Sequence, residues 1–257
     1  MKITIIGAGN MGGAIARALA IGTYLTRPDI TCTARSASTL EKLGGGFILT
    51  TDNHKAVKDS DIVLFAVKPW LMEEVVRDVA PYMDIERQIV ASVAAGITFA
   101  QLSEWLGGSA AMFRIIPNTA IEIGSGVTFL ASCNASEQVR TMMFDMFSQM
   151  GYAVEVEEDM MGAGTALASC GIAYAMKYIQ ASAAGGQALG FSQEQARKIV
   201  EYTVKGAAEL LLATGNPPQA EIDKVTTPGG MTMKGLVAME DSGFSQAVLD
   251  GLHACLK

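Results

Sequence analysis

The first twelve residues limit the fold more than any other part of the chain. Lys2-Ile3-Thr4-Ile5-Ile6 is a β-branched run that leads without a linker into Gly7-Ala8-Gly9-Asn10-Met11-Gly12, and a helical pattern begins there. A strand turning this tightly into a helix is the opening unit of a dinucleotide-binding fold. Gly7 suits the tight turn, Gly9 lets the backbone approach a pyrophosphate, and Gly12 allows close helix–strand packing. The bare amides at the helix start then face the phosphates, aided by the helix dipole. In a chain with 27 glycines, three alone would prove little. Their place between strand and helix carries the reading.

Strand and helix patterns keep alternating after that turn. A first helix is predicted over Met11 to Ile21, a second strand over Ile30 to Ala34, a helix near Leu40 to Leu43 and a brief strand at Phe47-Ile48-Leu49. Asp61 to Val67 is the most hydrophobic run and reads as a central parallel strand buried on both faces, ended by Lys68-Pro69. Helices over Trp70 to Val79 and Phe99 to Leu106 alternate with strands over Ile89 to Val93 and Met112 to Ile116. Strands near Val127 to Leu130 and Ala153 to Val156 flank a helix from Glu137 to Met150. The predicted class is α/β: an N-terminal Rossmann-like, mostly parallel sheet domain over residues 1–158 and an all-helical domain over 159–257. The helical domain opens with a long helix, about 159 to 189, crowded with Gly and Ala. So many small side chains bury little area each, so a partner subunit is expected to cover it.

A net charge of -7 argues against a nucleic-acid footprint, which needs a basic face. Met160 to Met176 is too short and too rich in small residues to read as a membrane span. The four cysteines, Cys32, Cys133, Cys170 and Cys255, have no framework spacing, so a reduced, cytoplasmic setting is the simplest expectation. His54 and His253 have no companion ligands, and no metal site is expected.

Nicotinamide cofactors are told apart at the end of the second strand, where a carboxylate would grip a ribose hydroxyl. Here the strand ends Thr33-Ala34-Arg35-Ser36, with no acid. A guanidinium beside a hydroxyl suits a 2′-phosphate, so NADPH is the expected cofactor, with NADH possible.

Five segments occur in one order: Gly7 to Gly12, Ala66-Val67-Lys68-Pro69, Ala94-Ala95-Gly96, Ile116-Pro117-Asn118-Thr119, and Val225-Thr226-Thr227-Pro228-Gly229-Gly230-Met231-Thr232. Together they resemble the pyrroline-5-carboxylate reductases, which reduce a cyclic imine acid to proline with NAD(P)H. The resemblance runs through nearly the whole chain. It implies that Asn53 and the Ala66–Pro69 turn line the adenosine and nicotinamide ribose, and that Ala95 lies beside the nicotinamide. It also implies substrate-side positions at Glu158, Lys224, Met231 and Thr232, with the Thr232 hydroxyl nearest the imine nitrogen. An interlocked dimer, assembled further into rings in many members, is implied as well.

Independently of the name, Pro228, Gly229 and Gly230 form a turn whose free amides make a nest for a small carboxylate. Hydride transfer to a protonated imine needs positioning and exclusion of water more than acid–base groups. The chain departs from the family pattern at Leu167-Ala168-Ser169-Cys170-Gly171-Ile172-Ala173-Tyr174, where Leu-Ser-Gly-Ser-Gly-Pro-Ala-Tyr is usual. Loss of that proline predicts a straighter helix. Met231 and Lys224 also depart from the pattern, and Lys224 adds positive charge near the presumed carboxylate. Two alternatives share these features: a related imine or β-hydroxyacid oxidoreductase, and a non-catalytic NADPH-binding paralogue.

Overall fold

The computed structural model describes residues 1–256, which divide into compact units of Met1–Ser169 and Cys170 onward. The first unit holds one eight-stranded sheet: β1 (Ile3–Ile6), β2 (Ile30–Thr33), β3 (Ile48–Thr50), β4 (Ile62–Phe65), β5 (Ile89–Ser92), β6 (Ala111–Pro117), β7 (Gly126–Cys133) and β8 (Gly151–Glu155). The spatial order is β3-β2-β1-β4-β5-β6-β7-β8. Every pair is parallel except β6 with β7. The stretch from Pro117 to Gly126 is shorter than the roughly dozen residues a parallel crossover needs, so the chain reverses. In such a sheet, ligands bind beyond the carboxyl ends of the strands where the order switches, here between β1 and β4.

Six helices flank the sheet: α1 (Asn10–Leu19), α2 (Ala37–Glu41), α3 (Asn53–Lys58), α4 (Met72–Val79), α5 (Phe99–Leu106) and α6 (Glu137–Ser148). Alternating side chains feed two cores. Ile3, Ile5, Leu64, Phe113 and Ile115 meet α1 and α6 on one face. Ile6, Val63, Phe65 and Met112 meet α3, α4 and α5 on the other. All four β4 residues are fully buried, as its unbroken apolar run predicts. Burial also pushes the Cys32 thiol up to about 12, so it is inert at neutral pH.

The helical run that starts near Glu158 is not one regular helix. A 3-10 turn (Glu158–Met160) leads into α7 (Met161–Gly164), a π-helical stretch (Thr165–Cys170) and α8 (Gly171–Ala188). The straighter helix expected from the missing proline gives way to a π segment over the altered residues. The Thr165 hydroxyl donates back to the Met161 carbonyl at 2.7 Å, and Ser169 Oγ donates to the Pro117 carbonyl at 3.1 Å. Such side-chain bonds compete with the regular ladder, and π turns interrupt helices without any proline.

The second unit continues with α9 (Gln193–Thr214), α10 (Pro218–Lys224), α11 (Met231–Asp241) and α12 (Phe244–Ala254). α8 packs closely on α9, where a Cβ on Gly186 would lie 3.0 Å from that of Ala196. Ala196 is the only buried residue of this unit among those described. Leu189, Tyr202, Leu212 and Met231 are each more than 70% exposed. A stable helical unit does not leave that much apolar surface in water, so these faces need cover from another molecule. No helix among the described residues is long and apolar enough to cross a membrane.

Candidate active site

At the switch point, Gly7 takes a φ of +94°, a region that only glycine enters freely. The amides of Gly7 and Ala8 both donate to the Thr33 carbonyl, at 3.1 and 2.7 Å, and the Gly9 amide donates to the Gly7 carbonyl at 2.8 Å. These three N–H groups are therefore spent on the turn and on the end of β2. The first bond within α1 runs from Gly13 N to the Gly9 carbonyl at 2.8 Å, and no side chain caps the helix. Free donors are thus left at Asn10, Met11 and Gly12.

The three glycines differ in what surrounds them. A Cβ on Gly12 would lie 2.5 Å from the Gly7 carbonyl oxygen and 3.0 Å from the Ala66 Cβ. One on Gly7 would lie 2.7 Å from Val67 Cγ1. One on Gly9 would meet nothing within 4 Å. Gly7 and Gly12 therefore serve packing against the Ala66–Val67 wall, while Gly9 faces open space. Bare amides at a helix start, with an open approach past Gly9, suit a diphosphate.

The Thr33 bonds bring the end of β2 to this turn. Arg35 is exposed there, and Ser36 Oγ lies 3.2 Å from Ser38 Oγ and 3.0 Å from Thr39 Oγ1. Arg35 and Ser36, singled out from sequence, thus lie together at the end of β2, with Ser38 and Thr39 beside them in the first turn of α2. Asn53 is half-buried and opens α3, a helix not anticipated from sequence, whose Asp52 cap accepts from the Lys55 amide at 3.1 Å. Lys68 is exposed, and Pro69 begins a 3-10 turn that directs the chain away from the sheet. Ala95 is exposed two residues beyond Val93, whose amide donates to the Phe65 carbonyl at 3.0 Å. The loop carrying Ala95 is thereby tied to the end of the central strand.

Glu158 is partly exposed and engaged through one of its carboxylate oxygens. Its Oε1 accepts from the Phe99 amide at 2.7 Å and from Arg114 Nη1 at 2.9 Å. Arg114 was not singled out from sequence, although an arginine inside Met112-Phe113-Arg114-Ile115-Ile116 is a buried charge that must find a partner.

In the helical unit, Lys224 ends α10 and its Nζ lies 2.7 Å from Glu221 Oε1. The Glu221 carboxyl is held below its ordinary range by the Asn216 amide and the Lys224 ammonium. The charge expected of Lys224 is therefore already paired. The Gly230 amide donates to the Thr227 carbonyl at 2.9 Å, and Gly229 has a φ of +71°. Proline at the second position and a left-handed glycine at the third define a type II turn. The expectation that both glycine amides are free is corrected on this point, because closing the turn consumes that of Gly230. The open donors lie at the start of α11, at Met231, Thr232 and Met233, ahead of the Lys234 N to Gly230 O bond of 3.1 Å. Met231 is 91% exposed, and the exposed Thr232 hydroxyl has no hydrogen-bond partner among the described residues.

Comparison with known proteins supplies the context for these arrangements. Residues 158–257 match the family model for pyrroline-5-carboxylate reductase dimerisation, and residues 2–96 match that for coenzyme F420-dependent NADP oxidoreductase. Over 97% of its length the chain is 35% identical to pyrroline-5-carboxylate reductase 1 of Dictyostelium discoideum, of which it spans about half (48%). Over 98% of its length it is 34% identical to the pyrroline-5-carboxylate reductase of Aquifex aeolicus, spanning 94% of that protein. The crystal structure of Plasmodium falciparum pyrroline carboxylate reductase with NADP bound superposes with a TM-score of 0.92 at 26% identity, covering 100% of this chain and 95% of the other. The dimerisation match and the uncovered apolar faces of the helical unit agree that the chain self-associates. With sheet order, glycine turn and proline-diglycine bend all accounted for, the chain belongs to the pyrroline-5-carboxylate reductase family.

Proposed function

We propose that this protein reduces 1-pyrroline-5-carboxylate to L-proline with NADPH. The observation that carries the reading is identity above 30% along essentially the whole chain to reductases of that name. An intact glycine turn with free amides at Asn10, Met11 and Gly12 supports it.

In this reading the helix α1 amides hold the diphosphate, Gly9 allows its approach, and Gly7, Ala8 and the Ala66–Val67 wall fix the turn. Arg35 and Ser36 hold the 2′-phosphate, because their end of β2 offers cationic and hydroxyl donors and no carboxylate. Asn53, Lys68, Pro69 and Ala95 line the nucleoside portions. NADPH supplies the hydride that reduces the imine carbon. The start of α11, shaped by Gly229 and Gly230, receives the substrate carboxylate on backbone N–H groups. Met231 and Lys224 border that position. Thr232 is the catalytic residue: its hydroxyl accepts from the protonated imine nitrogen and so orients the carbon for reduction.

Residues 1–158 serve the cofactor and 159–257 serve substrate and assembly, as an interlocked dimer that extends to a ring of dimers. The unpaired cysteines fit a reducing cytoplasm. Proline formation by the pure protein, with NADPH consumed in equal amount, is the test. Saturating NADPH binding with no turnover of a five-membered or six-membered cyclic imine would instead favour the non-catalytic paralogue.

A further inference from the structure

Two cysteines stand at opposite ends of the helical unit in sequence and meet in the fold. Cys170 closes the π stretch just before α8, inside the segment where the chain departs from the family pattern, and Cys255 follows α12. Both are free, Cys170 half-buried and Cys255 exposed. Tyr174, one helical turn beyond Cys170, connects them. Its hydroxyl lies 2.8 Å from Cys255 Sγ and donates to the Gly251 carbonyl at 3.0 Å, and a Cβ on Gly251 would meet its ring at 3.6 Å. Gly251 and Cys255 are also one turn apart. The start of α8 therefore presents Cys170 and Tyr174 to the Gly251–Cys255 face of α12.

Burial and a hydrogen bond to the Cys255 thiol push the Cys170 thiol above its ordinary value. The Tyr174 hydroxyl is pushed up to about 12, chiefly by its bond to Cys255, so it keeps its proton at neutral pH. With that proton on the Gly251 carbonyl, the Cys255 S–H donates to the phenol oxygen. Once Cys255 ionises, the phenol can turn its proton to the sulfur, which favours the thiolate. Cys255 is thus an accessible thiol with a donor beside it, and Cys170 is a shielded thiol next to it. Cys32 and Cys133 belong to strands of the other unit, β2 and β7.

We propose that Cys170 and Cys255 are a redox-modification site: hydrogen peroxide closes them into an intramolecular disulfide that clasps the start of α8 to the end of α12. The Cys255 thiolate attacks one peroxide oxygen, the O–O bond breaks, and a sulfenic acid forms as hydroxide leaves and takes up a proton to become water. Cys170 then loses its proton and attacks that sulfur. The S–S bond forms, the S–O bond breaks, and a second water leaves with the Cys170 proton. Two thiols give up two electrons and one peroxide accepts them. A dithiol reductant reverses the step. The closed loop runs from α8 to α12, nearly the whole helical unit, and a cross-link that closes a long loop stabilises most.

The test treats the purified full chain with hydrogen peroxide at neutral pH and follows thiol count, mass, peptide map and Tm. Wild type is expected to lose two of its four thiols and two hydrogens in mass, and to yield one linked peptide pair containing Cys170 and Cys255 when digested without reductant. Dithiothreitol should restore all four thiols. The Tm of the oxidised protein should rise by about 4 °C or more and return on reduction. Cys170→Ser should stop at a Cys255 sulfenic acid that dimedone traps, and Cys255→Ser should keep its Cys170 thiol. Unreacted thiols in wild type, a disulfide between chains instead of within one, or an oxidised protein with no rise in Tm would each overturn the proposal. Thiol counting needs no cyclic imine, so the outcome is independent of the reductase reading.

Discussion

Replacing Gly9 and Gly12 separately by alanine distinguishes the packing and binding roles of the glycine turn. At Gly12 the new methyl would sit 2.5 Å from the Gly7 carbonyl oxygen and 3.0 Å from Ala66 Cβ, so backbone must move. Overpacking of this kind costs about 1–3 kcal/mol. In a unit of this size that lowers Tm by roughly 2–12 °C, at about 2–4 °C per kcal/mol. At Gly9 the methyl meets nothing within 4 Å. Gly9→Ala should therefore leave the Tm of the free protein within about 2 °C of wild type. The same methyl occupies the approach to the α1 amides, whose charge-assisted bonds are worth about 1.5–3 kcal/mol each. Losing one weakens NADPH by about 10- to 150-fold. Thermal unfolding without nucleotide, paired with fluorescence titration of NADPH, reads both quantities. A Gly9→Ala protein that binds NADPH normally would refute the assignment of that open space to the diphosphate. A Gly12→Ala protein with unchanged Tm would refute the packing argument.

Three further outcomes are expected. Arg35→Ala should raise the KM for NADPH about tenfold and leave that for NADH unchanged, measured in parallel steady-state assays. Thr232→Ala should lower kcat by about 10- to 100-fold while Thr232→Ser retains most activity, with circular dichroism confirming that both are folded. Around Glu221 the sign follows from its lowered folded-state pKa. The stabilisation by Asn216 and Lys224 is present above the ordinary value of 4.5 and is lost as pH falls through the lowered folded value. Urea unfolding of the helical signal between pH 5 and 3 should show this loss in wild type and a flatter profile in Glu221→Gln.

The α/β half was legible because burial on both faces leaves a strong local signal: Asp61 to Val67 contains β4, and α5 falls on Phe99–Leu106 as read. The short helix α3 was not legible. α3 spans six residues and carries one fully buried side chain, Val57, so no periodicity could announce it. The Asp52 cap was its only mark. The reversal at β6–β7 was implicit in the short connection after Pro117, while the π stretch, along which Thr165 and Ser169 donate to the Met161 and Pro117 carbonyls, had no mark in the sequence. The candidate site was legible where its shape is made by backbone turns. The glycine turn and the Pro228-Gly229 bend were read from residue type, though which amides remain free follows only from bonds such as Gly230 N to Thr227 O. Arg114 and Glu158 are far apart in sequence and meet only in the fold, so neither residue alone indicated the pair.

The central claim is that this chain directs hydride from a bound nicotinamide to the carbon of a cyclic imine acid. The most direct measurement uses NADPH carrying two deuteriums at C4, pure protein and 1-pyrroline-5-carboxylate, with mass spectrometry and NMR of the product. The account predicts proline carrying one deuterium on its δ-carbon, in step with NADPH oxidation. Proline without deuterium, or no proline from protein that binds NADPH, would contradict it.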